Sequence, residues 1–195
     1  ELKVGSGSIY LNNIDKQLFL QLNEQYLLYG PTNKLYLHNI IKKNNLRFDV
    51  SISYGEDLIF NFMYYKFINK ISITDAVSYF YVQDNGESLS KKYFENKFET
   101  AKKIHFTLLG FFDHINFVDT KSYQLLYGRL FDDVYNSLFL INNPKFKKTN
   151  VNAFRYIKSI LKDSELSNCI KYADTSMYSK KIVSIIKCRS TILFL

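Results

Sequence analysis

The chain has 195 residues and a formal net charge of +8, enough for one domain or two small ones, and a chain of this size buries a core without disulfide or metal staples. At 47% hydrophobic and 17% aromatic it is excluded from the disordered class, and with 7 Gly and 2 Pro it is not collagen-like, linker-like or mucin-like. Lys, Asn, Ile, Phe and Tyr account for 92 residues against 17 for Gly, Ala, Arg and Pro, a skew that points to an AT-rich genome and deprives Lys or Tyr abundance of functional meaning.

Residues Glu1–Ser8 are polar and carry no secretory signal; there is no initiator Met, and Gly5-Ser6-Gly7-Ser8 resembles a linker. The strongest apolar run, Leu58–Tyr65, is interrupted by Asn61 and closed by Lys66, so no membrane-spanning helix is expected. Cys169 and Cys188 form no Cys-x-x-Cys pair; the alternatives are a disulfide between them and, the reading preferred, two buried, reduced thiols of an intracellular protein, in cytoplasm or an organelle.

In chain order, the first 82 residues read as strands. Candidates are Ile9–Leu11, Leu18–Leu22, Tyr26–Tyr29 and Leu35–Ile40, with Gly30-Pro31-Thr32-Asn33 as a turn between the last two. Leu46, Phe48, Val50 and Ile52 alternate, Tyr54-Gly55-Glu56-Asp57 supplies a turn, and Leu58–Tyr65 returns, which predicts a hairpin. Ile68–Ile73 and Val77–Val82 add strands, unless Thr74-Asp75 caps a short helix.

After Asp84-Asn85-Gly86 the period changes. Phe94, Phe98, Ala101, His105, Leu108, Phe112 and Ile115 recur at helical steps behind a Ser88 or Ser90 cap. A second helix is expected over about Lys121–Ile141, with Tyr123, Leu126, Tyr127, Leu130, Phe131, Val134, Tyr135 and Leu138 on its apolar face and Asn142-Asn143-Pro144 as its stop. Shorter helices are expected near Val151–Leu161 and Tyr178–Lys187. The fold class expected is α+β: a β-rich antiparallel part over residues 1–86, sandwich- or barrel-like, then an α-helical part over 87–195, as two units or one continuous domain.

The charge is unevenly distributed. Residues 1–86 hold 8 basic and 8 acidic side chains, and residues 87–140 hold 7 and 7. Residues 141–195 hold 11 basic and 3 acidic, so the whole excess lies there. Lys145, Lys147, Lys148, Arg155, Lys158, Lys162, Lys180, Lys181, Lys187 and Arg189 are the candidate nucleic-acid-binding residues. Arg155, Lys158 and Lys162, three and four apart, share one helix face opposite Phe154, Ile157 and Leu161. Four Arg in the chain argue against sequence-specific major-groove reading. Residues 177–195 mix basic and apolar side chains, a pattern of a helix lying on a membrane surface or of a terminus docked into its own fold or a partner subunit.

No catalytic, metal or cofactor motif is found. His105 and His114 are nine apart and fall on different sides of a helix, and His38 stands alone. Asp132-Asp133 diverge by about 100° on a helix. Asp113, His114 and Asp119 form the one dense polar cluster in an apolar setting, readable as a general-base site or as helix-end capping. Leu108-Leu109-Gly110-Phe111-Phe112-Asp113 resembles the opening of the motif of LAGLIDADG homing endonucleases. Where that family carries its metal-binding acid this chain has Ile115, and the closing Gly is Asn116, so no cleavage chemistry is implied. Tyr127-Gly128-Arg129-Leu130-Phe131 is similar to a helix segment of poxvirus immune antagonists with the apoptosis-regulator fold, although residues 132–195 are too few for that family's remaining helices.

The reading that results is a non-enzymatic binding protein, a subunit or accessory factor of a larger assembly such as a ribonucleoprotein, meeting RNA or another polyanion through its basic C-terminal region. Its rivals are a viral or parasite effector that binds a host protein through an apolar surface, and an enzyme built on Asp113 and His114.

Overall fold

The computed structural model describes residues 7–11, 16–76, 79, 94 and 96–194. Among them the chain is mostly helical, with a single two-stranded antiparallel sheet; the sandwich or barrel expected of residues 1–86 is not formed. β1 (Gly7–Tyr10) pairs with β2 (Lys70–Ile73) so that Ile9 faces Ile71 and Tyr10 faces Lys70. Leu11 N–H donates to the Asn69 carbonyl at 2.9 Å, and the Lys70 ammonium lies 5.6 Å from the Tyr10 ring centroid. The other expected strands among the described residues are helix, turn or irregular backbone. The strand expected over Val77–Val82 lies outside the described residues apart from Tyr79, as do the Ser88 and Ser90 caps.

The predicted hairpin fails for two physical reasons. Asp49 accepts from the Ser51 backbone N–H at 2.9 Å, a side-chain turn that competes with a sheet ladder, and the alternating residues share no buried face: Leu46 is buried, while Phe48 and Val50 are exposed. Leu58–Tyr65 belongs to α3 (Glu56–Tyr65), where Leu58, Ile59, Phe60, Phe62, Tyr64 and Tyr65 are buried on almost every side. A continuous apolar run has no period of its own, so a buried helix and a buried strand look alike in sequence. Gly55 enters α3 in the left-handed region (φ 74°), and Glu56 and Asp57 place negative charge on its first turn.

The same correction applies earlier. Leu18–Leu22 falls within α1 (Lys16–Glu24), which buries Phe19, Leu22 and Asn23 at helical spacing. Leu35–Leu37 forms neither strand nor helix, Leu37 being extended, and His38 opens α2 (His38–Lys43). Tyr26–Tyr29 is a turn with Tyr26 in the left-handed region (φ 59°).

The later helices follow their apolar stripes: α4 (Lys97–His114), α5 (Thr120–Leu138), α6 (Ala153–Leu161) and α8 (Lys180–Cys188). Asp119 and Ser122 form a reciprocal capping box at the start of α5. That helix closes at Leu138, before a 3-10 turn at Phe139–Asn142, rather than running to Ile141. α7 (Leu166–Tyr172) and α9 (Thr191–Phe194) were not expected as separate helices.

Two compact units result. One takes in the described residues of Glu1–Lys92 with Phe106–Phe117, the other those of Tyr93–His105 with Val118–Leu195, so α4 contributes one half to each. The first is centred on aromatic rings: Phe19 packs on Phe111, Phe112 and Phe117, and Phe62 on Phe111, with centroids 5.2–6.1 Å apart. Fully buried Asn61 on α3 donates to the carbonyls of Leu28, Tyr29 and Gly30 and accepts from the Tyr36 hydroxyl, which anchors the turn segment. Lys34 closes the same segment by donating to the Leu27 carbonyl at 2.8 Å and Asn33 Oδ1 at 2.7 Å, and burial lowers its ammonium to about 8. The second unit buries Phe98, Leu130, Phe131, Val134 and Leu138 against Ile157, Ile160, Leu161, Leu166, Val183 and Ile186.

Candidate polyanion-binding surface

The predicted basic residues all lie in the second unit. Lys145 precedes, and Lys147 and Lys148 occupy, the 3-10 turn Phe146–Lys148, whose single buried residue is Phe146. The Phe146 ring packs 5.2 Å from that of Tyr156, which anchors the turn to α6. All three lysines face solvent.

α6 begins at Asn152, whose side chain accepts from the Arg155 backbone N–H at 3.0 Å. Its buried residues are Ile157, Ile160 and Leu161, while Arg155, Lys158 and Lys162 are exposed. At about 100° per residue the three cations fall within an arc of about 60° on the solvent side. Phe154 departs from expectation: it sits at the border of the apolar and basic faces and is 43% exposed.

α8 repeats the division. Val183, Ile185 and Ile186 are buried, and Lys180, Lys181 and Lys187 share the outer face with Ser184 and Cys188. Val183 and Ile186 on the apolar side of this helix are seated in the unit's own core, while Ile192 and Leu193 beyond it are exposed. Arg189 differs from the rest. It caps α8 in the left-handed region (φ 52°), is half-buried, and its guanidinium donates to Ser167 Oγ.

The three acids of the same stretch each accept a hydrogen bond. Asp163 Oδ2 accepts from Lys102 Nζ at 2.7 Å, and that bond holds the ammonium above its ordinary range. Glu165 Oε2 accepts from the Tyr127 hydroxyl and from Asn168 Nδ2, both at 3.2 Å. Asp174 accepts from the Ser176 backbone N–H at 2.9 Å, which holds its carboxyl below the usual range. Only Asp163 is paired with a cation from outside the segment; Glu165 and Asp174 keep their charge, so the segment's excess is that of its 11 basic against 3 acidic side chains.

The second unit also holds a buried polar seam that sequence reading missed. His105 is buried with its ring centroid 4.6 Å from that of Tyr127. Tyr127 stacks on Tyr172 and, by burial first and Glu165 second, is pushed up to about 12. Cys169, buried beside it, is raised to about 12 by the same burial. The expectation of two buried thiols holds for Cys169 alone; Cys188 is exposed, and both are free.

Asp113 and His114 are exposed on the last turn of α4, and the Asp113 carbonyl accepts from the Asn116 N–H at 2.9 Å. Asp119 is spent on capping α5. Asp132 is exposed and hydrogen-bonded to the Tyr178 hydroxyl, while Asp133 is partly buried, so the carboxylates of this pair have diverged as helix geometry requires. Among the described residues no group of three or more His, Cys, Asp and Glu side chains is placed to hold a metal ion, and no helix is long and apolar enough to cross a membrane.

Comparison of the chain with protein-family models, with curated proteins and with solved structures finds no match in any of the three. The segments behind the two local resemblances are core-facing stretches of α4 and α5: Leu108, Phe111 and Phe112 in one, Tyr127, Leu130 and Phe131 in the other, are buried.

Proposed function

We propose that the protein acts by binding, and that the exposed basic faces of residues 141–195 meet RNA or a like polyanion as part of a larger assembly. The observation that carries this reading is the combination of charge and placement. The entire formal excess lies in 55 residues, and all of its candidate cations except Arg189 are exposed, on two amphipathic helices and a turn. Lys-rich contacts of this kind neutralise phosphates without reading sequence. Two free thiols accord with an intracellular, reducing compartment.

Removing residues 141–195 is a poor test, because Ile157, Ile160, Leu161, Val183 and Ile186 belong to the core. Charge substitution is the better one. Lys147→Gln, Lys148→Gln, Arg155→Gln and Lys158→Gln together should leave the fold intact and weaken binding to RNA and heparin at low salt. Wild-type protein that binds neither polyanion at low salt refutes the reading.

A second reading rests on the first unit. Leu35, Leu37, Phe48 and Val50 are exposed, and Phe48 packs on the Phe60 ring, as does Tyr36 between the two leucines in sequence. Such a surface fits a protein partner. Partner capture that survives nuclease and high salt but is lost in Leu35→Asp would favour it.

A further inference from the structure

From the faces of α6 we infer that the nucleic acid met there is single-stranded, with a base stacked on Phe154 and the neighbouring phosphates on Arg155, Lys158 and Lys162; this rests on the polyanion reading above. The aromatic residues of the basic segment otherwise have ring partners. Phe146 packs on Tyr156, Tyr172 on Tyr123 and Tyr127, Tyr178 on Phe131 and Tyr135, and Phe194 on Phe139. Phe154 alone of this set has no ring contact among the described residues, and it is 43% exposed.

Its position explains why. In helical phase Phe154 lies about 20° from buried Leu161 and about 40° from exposed Lys158. It occupies the first turn of α6, one turn before the first buried residue, Ile157, so its ring meets solvent beside the cations. An aromatic face flanked by cations is how single strands are held without sequence preference: every base offers a π-face, and the backbone follows the positive charge. Paired bases inside a duplex are already stacked and cannot use the ring, so duplex binding should depend on the cations alone.

The chain contains no Trp, so Phe154→Trp installs a lone indole reporter. The test titrates wild type, Phe154→Ala and Phe154→Trp with oligouridylate, with its duplex with oligoadenylate, and with heparin, after circular dichroism has shown equal helicity. Phe154→Ala should lose about 5- to 150-fold in affinity for oligouridylate, with its salt slope and its affinity for duplex and heparin unchanged. Phe154→Trp should bind oligouridylate as wild type does, with its fluorescence quenched by that strand and not by heparin. Unchanged oligouridylate affinity in Phe154→Ala, an equal loss for all three ligands, or an indole indifferent to the single strand overturns the stacking inference while polyanion binding stands. Absence of wild-type binding to every ligand instead overturns the reading on which it rests.

Discussion

His105 shows how one buried residue ties stability to pH. Burial holds its imidazole below the ordinary 6.5, against the opposing pull of a backbone hydrogen bond at Leu126 and the charge of Glu165. The folded protein thus takes up this proton less readily than the unfolded chain, so the contribution is intact above pH of about 6.5 and is lost as pH falls below it toward the folded value. His105→Gln should reduce the drop in thermal midpoint between neutral pH and about pH 5, followed by circular dichroism. Asp133 has the opposite sign. Burial pushes its carboxyl up to about 6 despite Arg129 and Lys97, so the folded state keeps a proton that the unfolded chain releases above its ordinary 3.8. Stability from this group falls as pH rises from about 4 to about 6, and Asp133→Asn should gain about 1–2 kcal/mol at neutral pH and almost nothing near pH 4, measured by urea unfolding. Asn61 needs no titration to matter. Asn61→Ala strips the donor from the carbonyls of Leu28, Tyr29 and Gly30, and should cost roughly 3 kcal/mol in the same measurement.

At the scale of elements, α6 depends on its cap as much as on its apolar face. Asn152→Ala removes the bond to the Arg155 N–H and should cost about 1 kcal/mol, with faster amide exchange in the turn that carries Phe154. The second-half helices were legible because their apolar residues recur at three and four against polar ones, and the core used those residues: Phe98, Ala101, His105, Leu108 and Phe112 on α4 are buried as their spacing demands. The first half was not legible for the converse reason. In α3 apolar side chains occupy nearly every position, and at 46–53 a true alternation was undone by the Asp49 turn. On α6 the phase of Phe154 could be read from spacing, but its exposure could not, because that depends on where the core ends along the helix axis.

For the whole molecule, charge and burial are divided differently along the chain. Cores form in both units, whereas the formal excess of cations belongs to residues 141–195. Charge arithmetic alone located the candidate cations, and all of them fall in the second unit, with Arg189 the one that is half-buried. What arithmetic could not supply is the fate of the acids: Asp163 is paired with Lys102, whereas Glu165 and Asp174 meet only neutral donors, from Tyr127, Asn168 and Ser176, and keep their charge. If each cation meets a phosphate, the slope of log affinity against log salt on single-stranded RNA should flatten by about 0.7 for each of Lys147, Lys148, Arg155 and Lys158 that is replaced by Gln.

The unlike thiols make the protein chemically addressable as it stands. Cys169 is sealed in the core with its thiol raised to about 12, whereas Cys188 opens to solvent on the outer face of α8 beside Lys181 and Lys187. A maleimide dye or a photo-crosslinker applied to the native chain should therefore attach at a single place, on the rim of the face assigned to the polyanion, and Cys188→Ser should abolish that labelling while leaving Cys169 untouched.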